Sequence, residues 1–306
     1  MTHLFSYETF VHAVAGATGS GIAMTVFYPL DTVKIRLQVD DGRIPRSIPV
    51  LDAIDIAREE GVLALYRGLH SVITSLFTSN FVYFYTFHGL RRVLIPAGER
   101  SAVKDLLIGT IAGIVNVVIT TPLWTVNTRL QLQGTKLKGG EHRNVSHYSG
   151  IVDGLVKIAR EEGLAELWRS CPASLLLVCN PAIHFTLYEA LKRRLHRRLG
   201  VKELSALTYF LLGGLAKCIA TTATYPMQFI QSKLRAGQLN TNNSKHSLLM
   251  SVLELVRSKG MVGMYKGLEA KLFQTVLTSA LMFLCYEEII SFVFALLRVK
   301  GAAAVK

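Results

Sequence analysis

The sequence predicts an all-α membrane protein of six transmembrane helices, and three observations predict it. Half of the 306 residues are hydrophobic and only 18% are charged, and the mean hydropathy of +0.35 lies to the apolar side of soluble chains. Six apolar runs, at 9–38, 69–94, 104–132, 171–196, 205–234 and 268–297, each exceed the roughly 20 residues needed to cross a bilayer. One arrangement of proline, cation, glycine and aromatic recurs three times at constant spacing, which makes the chain a threefold repeat.

The repeats can be followed in order. Ile56-Ala57-Arg58-Glu59-Glu60-Gly61 returns unchanged as Ile158 to Gly163, 102 positions later. Glu60-Gly61 leads to Tyr66-Arg67-Gly68, Glu162-Gly163 to Trp168-Arg169, and Lys259-Gly260 to Tyr265-Lys266-Gly267, five residues separating glycine from aromatic each time. Upstream, Pro29, Pro122 and Pro226 each close an apolar run, and seven residues later stand Arg36, Arg129 and Lys233. The units are 7–94, 100–198 and 204–297. Within each, a long span leads to a polar loop holding a short amphipathic helix, and a second span follows. Proline inside each odd-numbered span removes a backbone donor and predicts a kink. Small residues at helical spacing, such as Gly109 and Gly113, allow close helix contact in lipid.

Charge and motif chemistry exclude several classes. A net charge of +13 suits either a basic ring at the lipid interface or attraction of an anionic solute, whereas nucleic-acid binding would require a soluble basic face on a recognisable module. Cys171, Cys179, Cys218 and Cys285 lie in apolar stretches without C-x-x-C spacing, so they read as reduced packing residues. Gly16 to Gly21 imitates a dinucleotide-binding turn but sits in a membrane span, outside the strand–turn–helix setting that turn needs. Neither a nucleophile–base pair nor a metal-ligand cluster appears, so the expectation is a non-enzyme with no cofactor. The start, MTHLFSYETF, resembles neither a signal nor a transit peptide. Residues 91–104 and 192–203 carry ten cations against two acids, which by the positive-inside tendency puts these linkers and both termini in the cytosol.

The triplicated P-x-[DE]-x-x-[KR]-x-[KR], followed by [DE]-G-x-x-x-x-[aromatic]-[KR]-G, resembles the signature of the mitochondrial carrier family, over nearly the whole chain. Repeat one matches throughout: Pro29, Asp31, Lys34, Arg36, Glu60, Gly61, Tyr66, Arg67 and Gly68. The resemblance implies a pseudo-threefold barrel of six tilted helices with three short amphipathic surface helices, a central site and alternating access. It also implies two gates. The gate away from the cytosol falls on Asp31, Trp124 and Gln228 at the acid positions and on Lys34, Asn127 and Gln231 at the base positions, so only repeat one keeps both charges. On the family's pairing scheme Asp31 would face Asn127 and Lys34 would face Gln228. The opposite gate falls on His88 with Arg91, Glu189 with Lys192, and Glu287. Stretches around Ser79 to Phe87, Thr120 to Trp124 and Tyr265 to Leu272 are similar to the family's peroxisomal branch, which implies coenzyme A, FAD, NAD and adenine mononucleotides as cargo. The basic run Lys192 to Arg198 then suggests a segment for the peroxisomal membrane-protein import receptor. The remaining partner is membrane lipid, and the chain is expected to act as a monomer.

An ionisable residue inside a span is a functional candidate by default. Lys217 lies nine residues before Pro226, about 13 Å from it at 1.5 Å per residue, too deep to snorkel, so it should face a cavity. Lys271 and Gln274 share one face of the sixth span; Gln274 sits at the family's contact level, and Lys271 is either a site or a gate residue. Asn80 should point into the cavity, while Asn180, next to Pro181, either contacts the solute or caps a broken backbone. Asn116 is explained equally by helix packing. Of Phe77, Phe81, Tyr83, Phe84 and Tyr85, only one or two can face the cavity. Rival readings are an inner-membrane carrier of folate, FAD or pyrimidine nucleotides, and a membrane scaffold or receptor on a carrier fold.

Overall fold

In a computed structural model, which describes residues 18–46, 48–95, 102–135, 147–199, 205–238 and 248–296, the described chain is helical with no strand. Helix α1 runs over 18–26 and, after an interruption at Phe27, Tyr28–Val39. It is followed by the surface helix α2 (Pro49–Glu60) and by α3 (Leu69–Leu94). Repeat two supplies α4 (Ala102–Leu132), the surface helix α5 (Ile151–Glu161), and α6, made of Cys171–Leu176 and Asn180–Leu199 joined by a 3-10 turn. Repeat three supplies α7 (Ala206–Arg235), the surface helix α8 (Leu248–Gly263) and α9 (Leu268–Leu296). Among the described residues, Lys104–Leu132, Leu164–Arg198 and Leu207–Arg235 are long and apolar enough to cross a membrane; α3 and α9 have 26 and 29 residues. Residues 7–17 of the first repeat, and parts of both linkers, lie outside the described residues.

Helix neighbours close a ring. α3 packs on α4, α6 on α7 and α9 back on α1, while α1, α4 and α7 touch one another in the interior. Each surface helix is fixed to its own repeat by an apolar cluster with the same anchor. Ile56 packs with Val33, Leu37 and Leu65; Ile158 with Val126, Tyr148 and Leu167; and Leu255 with Phe229, Ile230, Leu234 and Met264. These anchors are the first apolar position of the repeated hexapeptide and its third-repeat counterpart. Burying such a side chain stabilises by roughly 1.5–3 kcal/mol, enough to pin a helix of three turns.

The three prolines behave differently. The first helix is interrupted at Phe27, just before Tyr28-Pro29, whereas α4 and α7 run unbroken through Pro122 and Pro226. Proline at 122 leaves the carbonyl of Val118 without its helical donor, and the indole Nε1 of Trp168 donates to that oxygen at 2.8 Å. The aromatic of the second motif half thus repairs the helix that the first half breaks. Thr32 and Thr125, each three residues after its proline, tie back in the same sense, donating to the carbonyls of Leu65 (2.7 Å) and Leu167 (3.1 Å).

Replacing Trp168 by phenylalanine removes one side-chain hydrogen bond to the helix backbone and should lower stability by about 1 kcal/mol. In a Pro122→Ala background that cost should shrink, because alanine restores the helical donor to Val118. A double-mutant cycle of thermal unfolding on detergent-purified protein measures the difference.

Candidate functional site

The closed end of the barrel is built from the tails of α1, α4 and α7. Arg36 forms a bidentate pair with Glu60 at 2.8 and 3.0 Å, both side chains almost fully buried. Arg129 pairs in the same way with Glu162 and also reaches Glu166 at 3.3 Å. In repeat three the acid position is Lys259, so Lys233 finds no carboxylate there. Asp41, from the loop of repeat one, takes that place: it accepts from Lys233 at 2.9 Å and also pairs with Lys259. Burial pushes the Asp41 carboxyl upward, but the two lysines outweigh it and hold the group below the usual carboxylate range. Motif cations then cross between repeats. Arg67 donates to the carbonyl of Gln133 at 3.1 Å, Lys266 to that of Asp40 at 2.6 Å, and Arg129 to that of Arg235 at 3.3 Å.

Deeper in, two interfaces carry the same lock. Gln131 donates to the Tyr28 hydroxyl at 2.7 Å, and Tyr28 donates to the carbonyl of Arg67 at 2.9 Å. Gln38 donates to the Tyr225 hydroxyl at 3.0 Å, and Tyr225 donates to the carbonyl of Lys266 at 2.9 Å. The motif's last glycine makes room for the lock. Gly68 and Gly267 have φ of 78° and 86°, and a Cβ there would come within 3.0 Å of Gln131 or of the Tyr225 hydroxyl, respectively.

Above this seal lies a cavity of about 770 Å³, running from Phe87 and Asp105 near the first linker down to Gln274 and Arg235. A smaller chamber of about 340 Å³ lies against the seal. Trp124, Gln228, Gln231, Arg235, Lys271 and Gln274 border both spaces and form the floor between them. Asp31 is the one carboxylate of the lower chamber and Asp105 that of the upper cavity, among the described residues. Asp105 is already paired with Arg91 at 3.1 Å. Three cations, Lys217, Lys271 and Arg235, line the upper cavity, and none makes an ion pair with a described carboxylate.

The structure rearranges the expected gate. Asp31 and Lys34 do not reach Asn127 and Gln228; they pair with each other along one helical turn, at 2.8 Å. Gln274 and Gln131 add longer bonds to Asp31, at 3.3 and 3.4 Å. With no opposite charge at the equivalent gate positions of the neighbouring repeats, self-pairing is the ion pair that offsets the desolvation of both groups, helped at Asp31 by the two amides and by the field of Lys271. Gln228 donates to Thr224 at 3.1 Å and Gln231 crosses to Ser174 at 2.7 Å, while the Asn127 side-chain oxygen is buried without a partner. At the other end, His88 stacks on Phe84 and meets Phe87 edge-on, and Lys192 lies 3.8 Å from Glu189 in its own helix and over the Tyr188 and Tyr209 rings. Glu287 falls on α9, but its side chain lies outside the described residues.

Lys217, Lys271, Gln274 and Asn180 all line the cavity, whereas Asn80 is exposed and stands outside that lining. Its neighbour Ser79 faces inward, hydrogen-bonded to Asn116, with Tyr83 one turn on. The Asn180 side chain bonds Thr224 at 2.9 Å, tying α6 to α7, so it serves as an interhelical strut at the cavity wall. Phe77, Phe81, Phe84 and Tyr85 are exposed, and of that aromatic group Tyr83 alone reaches the cavity. Several residues escaped the sequence reading, among them Gln38, Gln131, Ser79, Asp105, Arg235 and Asp41. Arg235 was visible only by counting nine residues from each proline, which sets it beside Gln38 and Gln131. Asp41 lies in a loop whose fold no periodicity specifies.

A barrel of paired helices around one cavity, with motif residues fastening one end, is the architecture of a membrane carrier. The mitochondrial carrier protein family matches residues 5–97, 98–199 and 202–295, and the chain belongs to that family of transporters. It is 51% identical to the peroxisomal membrane protein PMP34 of Mus musculus, over 98% of this chain and 99% of that protein. It is 32% identical to a peroxisomal adenine nucleotide carrier of Glycine max (92% and 91% covered) and 29% identical to a peroxisomal nicotinamide adenine dinucleotide carrier of Arabidopsis thaliana (92% and 96%).

Asp41→Asn should leave Lys233 and Lys259 facing each other without an acid. Because the carboxyl is held below its ordinary range, its contribution is full at neutral pH and is lost only as pH falls through that lowered value. The variant should therefore melt earlier than wild type from pH 7 down to pH 5, by an amount equivalent to a few tenths to about 1 kcal/mol for so exposed a pair. The gap should close only in stronger acid, and thermal unfolding across that pH series checks the sign.

Proposed function

We propose that this carrier exchanges nucleotide-bearing, phosphorylated cofactors across the peroxisomal membrane, with coenzyme A, FAD, NAD, AMP, ADP and ATP as the candidate cargo, and that it carries out no chemistry on them. The observation that carries this reading is the three cations, none in an ion pair with a described carboxylate, in a cavity whose single acid, among the described residues, is already occupied. Its volume falls in the range of sites that enclose a ligand of drug-like to cofactor size. The similarity to carriers named for peroxisomal adenine nucleotides and nicotinamide adenine dinucleotide supports both the chemistry and the compartment.

On this reading Lys217 is the main electrostatic anchor for phosphate. An ammonium held at membrane depth needs an anion or water, and no acid stands near it on its helix. The Tyr83 ring offers a stacking face for a base. Asn180 and Gln274 border the cavity and bring amide groups to amino or hydroxyl groups of the cargo. Lys271 adjoins both Lys217 and the Asp31–Lys34 pair, so an anion arriving there competes with Asp31 for positive charge and loosens the floor. The reading also includes cytosolic termini, a monomeric carrier in lipid, and recognition of Lys192 to Arg198 by the import receptor for peroxisomal membrane proteins.

Purified protein in vesicles should exchange adenine nucleotides and coenzyme A and leave uncharged adenosine behind. Lys217→Ala should weaken exchange of phosphorylated cargo by about 30-fold or more, the cost of removing one partner of a charged contact in a partly dry site, while Lys217→Arg keeps part of it. Near-normal uptake by Lys217→Ala would sink the assignment of the anchor. A fluorescent fusion found only on mitochondria would overturn the compartment and favour a mitochondrial carrier of folate, FAD or pyrimidine nucleotides.

A further inference from the structure

Arg235 is where the threefold pattern is rebuilt rather than merely worn. Counting from the prolines, Gln38, Gln131 and Arg235 are equivalent, as are Tyr28, Thr121 and Tyr225, and Gly68, Ser170 and Gly267. Two interfaces thus carry tyrosine, glutamine and glycine, and between repeats two and three all three members are changed together. Without a tyrosine to grip, the Arg235 side chain lies over the Trp124 ring, 5.6 Å from guanidinium carbon to ring centre. Trp124 itself occupies the position where the family's motif has an acid. An acid there would neutralise Arg235, whereas an indole holds a guanidinium by its face and leaves the N–H edge uncommitted. The Nε of Arg235 is buried with no acceptor.

We propose that Arg235, seated on Trp124, is a second anion-binding position at the cavity floor, which takes a phosphoryl group of the cargo as it passes from the open cavity into the lower chamber. The residue borders both spaces, so an anion bound to it is reachable from either side of the floor. Arg235 comes eighteen residues after Lys217 on the same helix, a rise of about 27 Å. The two are therefore positions in series rather than one pocket, and Lys271 stands between them, bordering both spaces and within electrostatic reach of Lys217. This inference rests on the nucleotide-exchange reading for its cargo but not for its anion chemistry, and the test separates the two.

In a Ser170→Gly background, Arg235→Gln combined with Thr121→Tyr gives the third interface the tyrosine, glutamine and glycine that the other two already have, so this pair preserves the seal while removing the cation. Exchange of ADP in vesicles should fall roughly tenfold to a hundredfold, as for loss of a hydrogen bond to a charged group, in this pair and in Arg235→Gln alone. Trp124 supplies a second readout. The chain has two tryptophans, so in a Trp168→Phe background Trp124 emission reports its own surroundings. Inorganic pyrophosphate should perturb that emission in protein with Arg235 and fail to do so in the Gln–Tyr pair. If the pair exchanges ADP as well as wild type, or if pyrophosphate leaves Trp124 emission unchanged in protein with Arg235, the anion site is overturned and Arg235 is a packing residue. If wild type exchanges no nucleotide, yet pyrophosphate still perturbs Trp124 through Arg235, the transport reading falls and the anion site stands.

Discussion

The Tyr28 hydroxyl donates to a carbonyl of its own repeat and accepts an amide from the next, and Tyr225 does the same one repeat on. Much of the closed end depends on those two phenols. Each stands just before a motif proline. Each needs a glycine opposite, because any side chain at 68 or 267 would fill the space of the lock as well as strain a left-handed backbone. The ring stacks of Tyr28 on Tyr66 and of Tyr225 on Tyr265 then fix the aromatic of the motif's second half. The motif therefore describes one contact network seen from both ends of the repeat.

Ion pairing at this end is largely confined to the rim. Arg36 and Arg129 satisfy acids of their own repeats, and the charged pair nearer the floor, Asp31 with Lys34, is an internal pair of one helix turn. Between repeats, the Asp41 bridge and the charge-assisted bonds of Arg67, Lys266 and Arg129 are joined, deeper in, by the neutral hydrogen bonds of the two tyrosine–glutamine locks. Such bonds are individually modest, about 1 kcal/mol net, and a seal made of several modest contacts can be undone in steps, whereas a buried ion pair must be desolvated and resolvated as a unit.

The fold was legible because the repeat was legible. Six apolar runs and a threefold spacing define helices, surface helices and their order with no knowledge of packing, and the common anchor at Ile56, Ile158 and Leu255 is already in the repeated hexapeptide. The site was legible to the depth of single charges: Lys217 and Lys271 stand out because ionised groups in apolar runs have few explanations. What the spacing does not carry is helical phase and loop geometry. Asn80 and Ser79 differ by one residue, 100° around the helix, and that angle decides which one meets the cavity. Asp41 reaches Lys233 across 192 positions of sequence, a meeting no local pattern encodes. The Asp31 partner was misplaced because family pairing was carried over to repeats that lack the charges it requires.

Three cations around one cavity also set the electrical state of the protein through its cycle. Asp31 offsets Lys271 in part and the Trp124 ring holds Arg235, but none of the three cations is in an ion pair with a described carboxylate, and taking such a charge out of water costs several kcal/mol per uncompensated ion. On the proposed reading, a bound polyanion would neutralise those charges, so the filled barrel could turn inside out where the vacant one is held back. On the exchange reading, the same electrostatics that select the solute would suppress a leak, and the return journey would have to be made with a passenger.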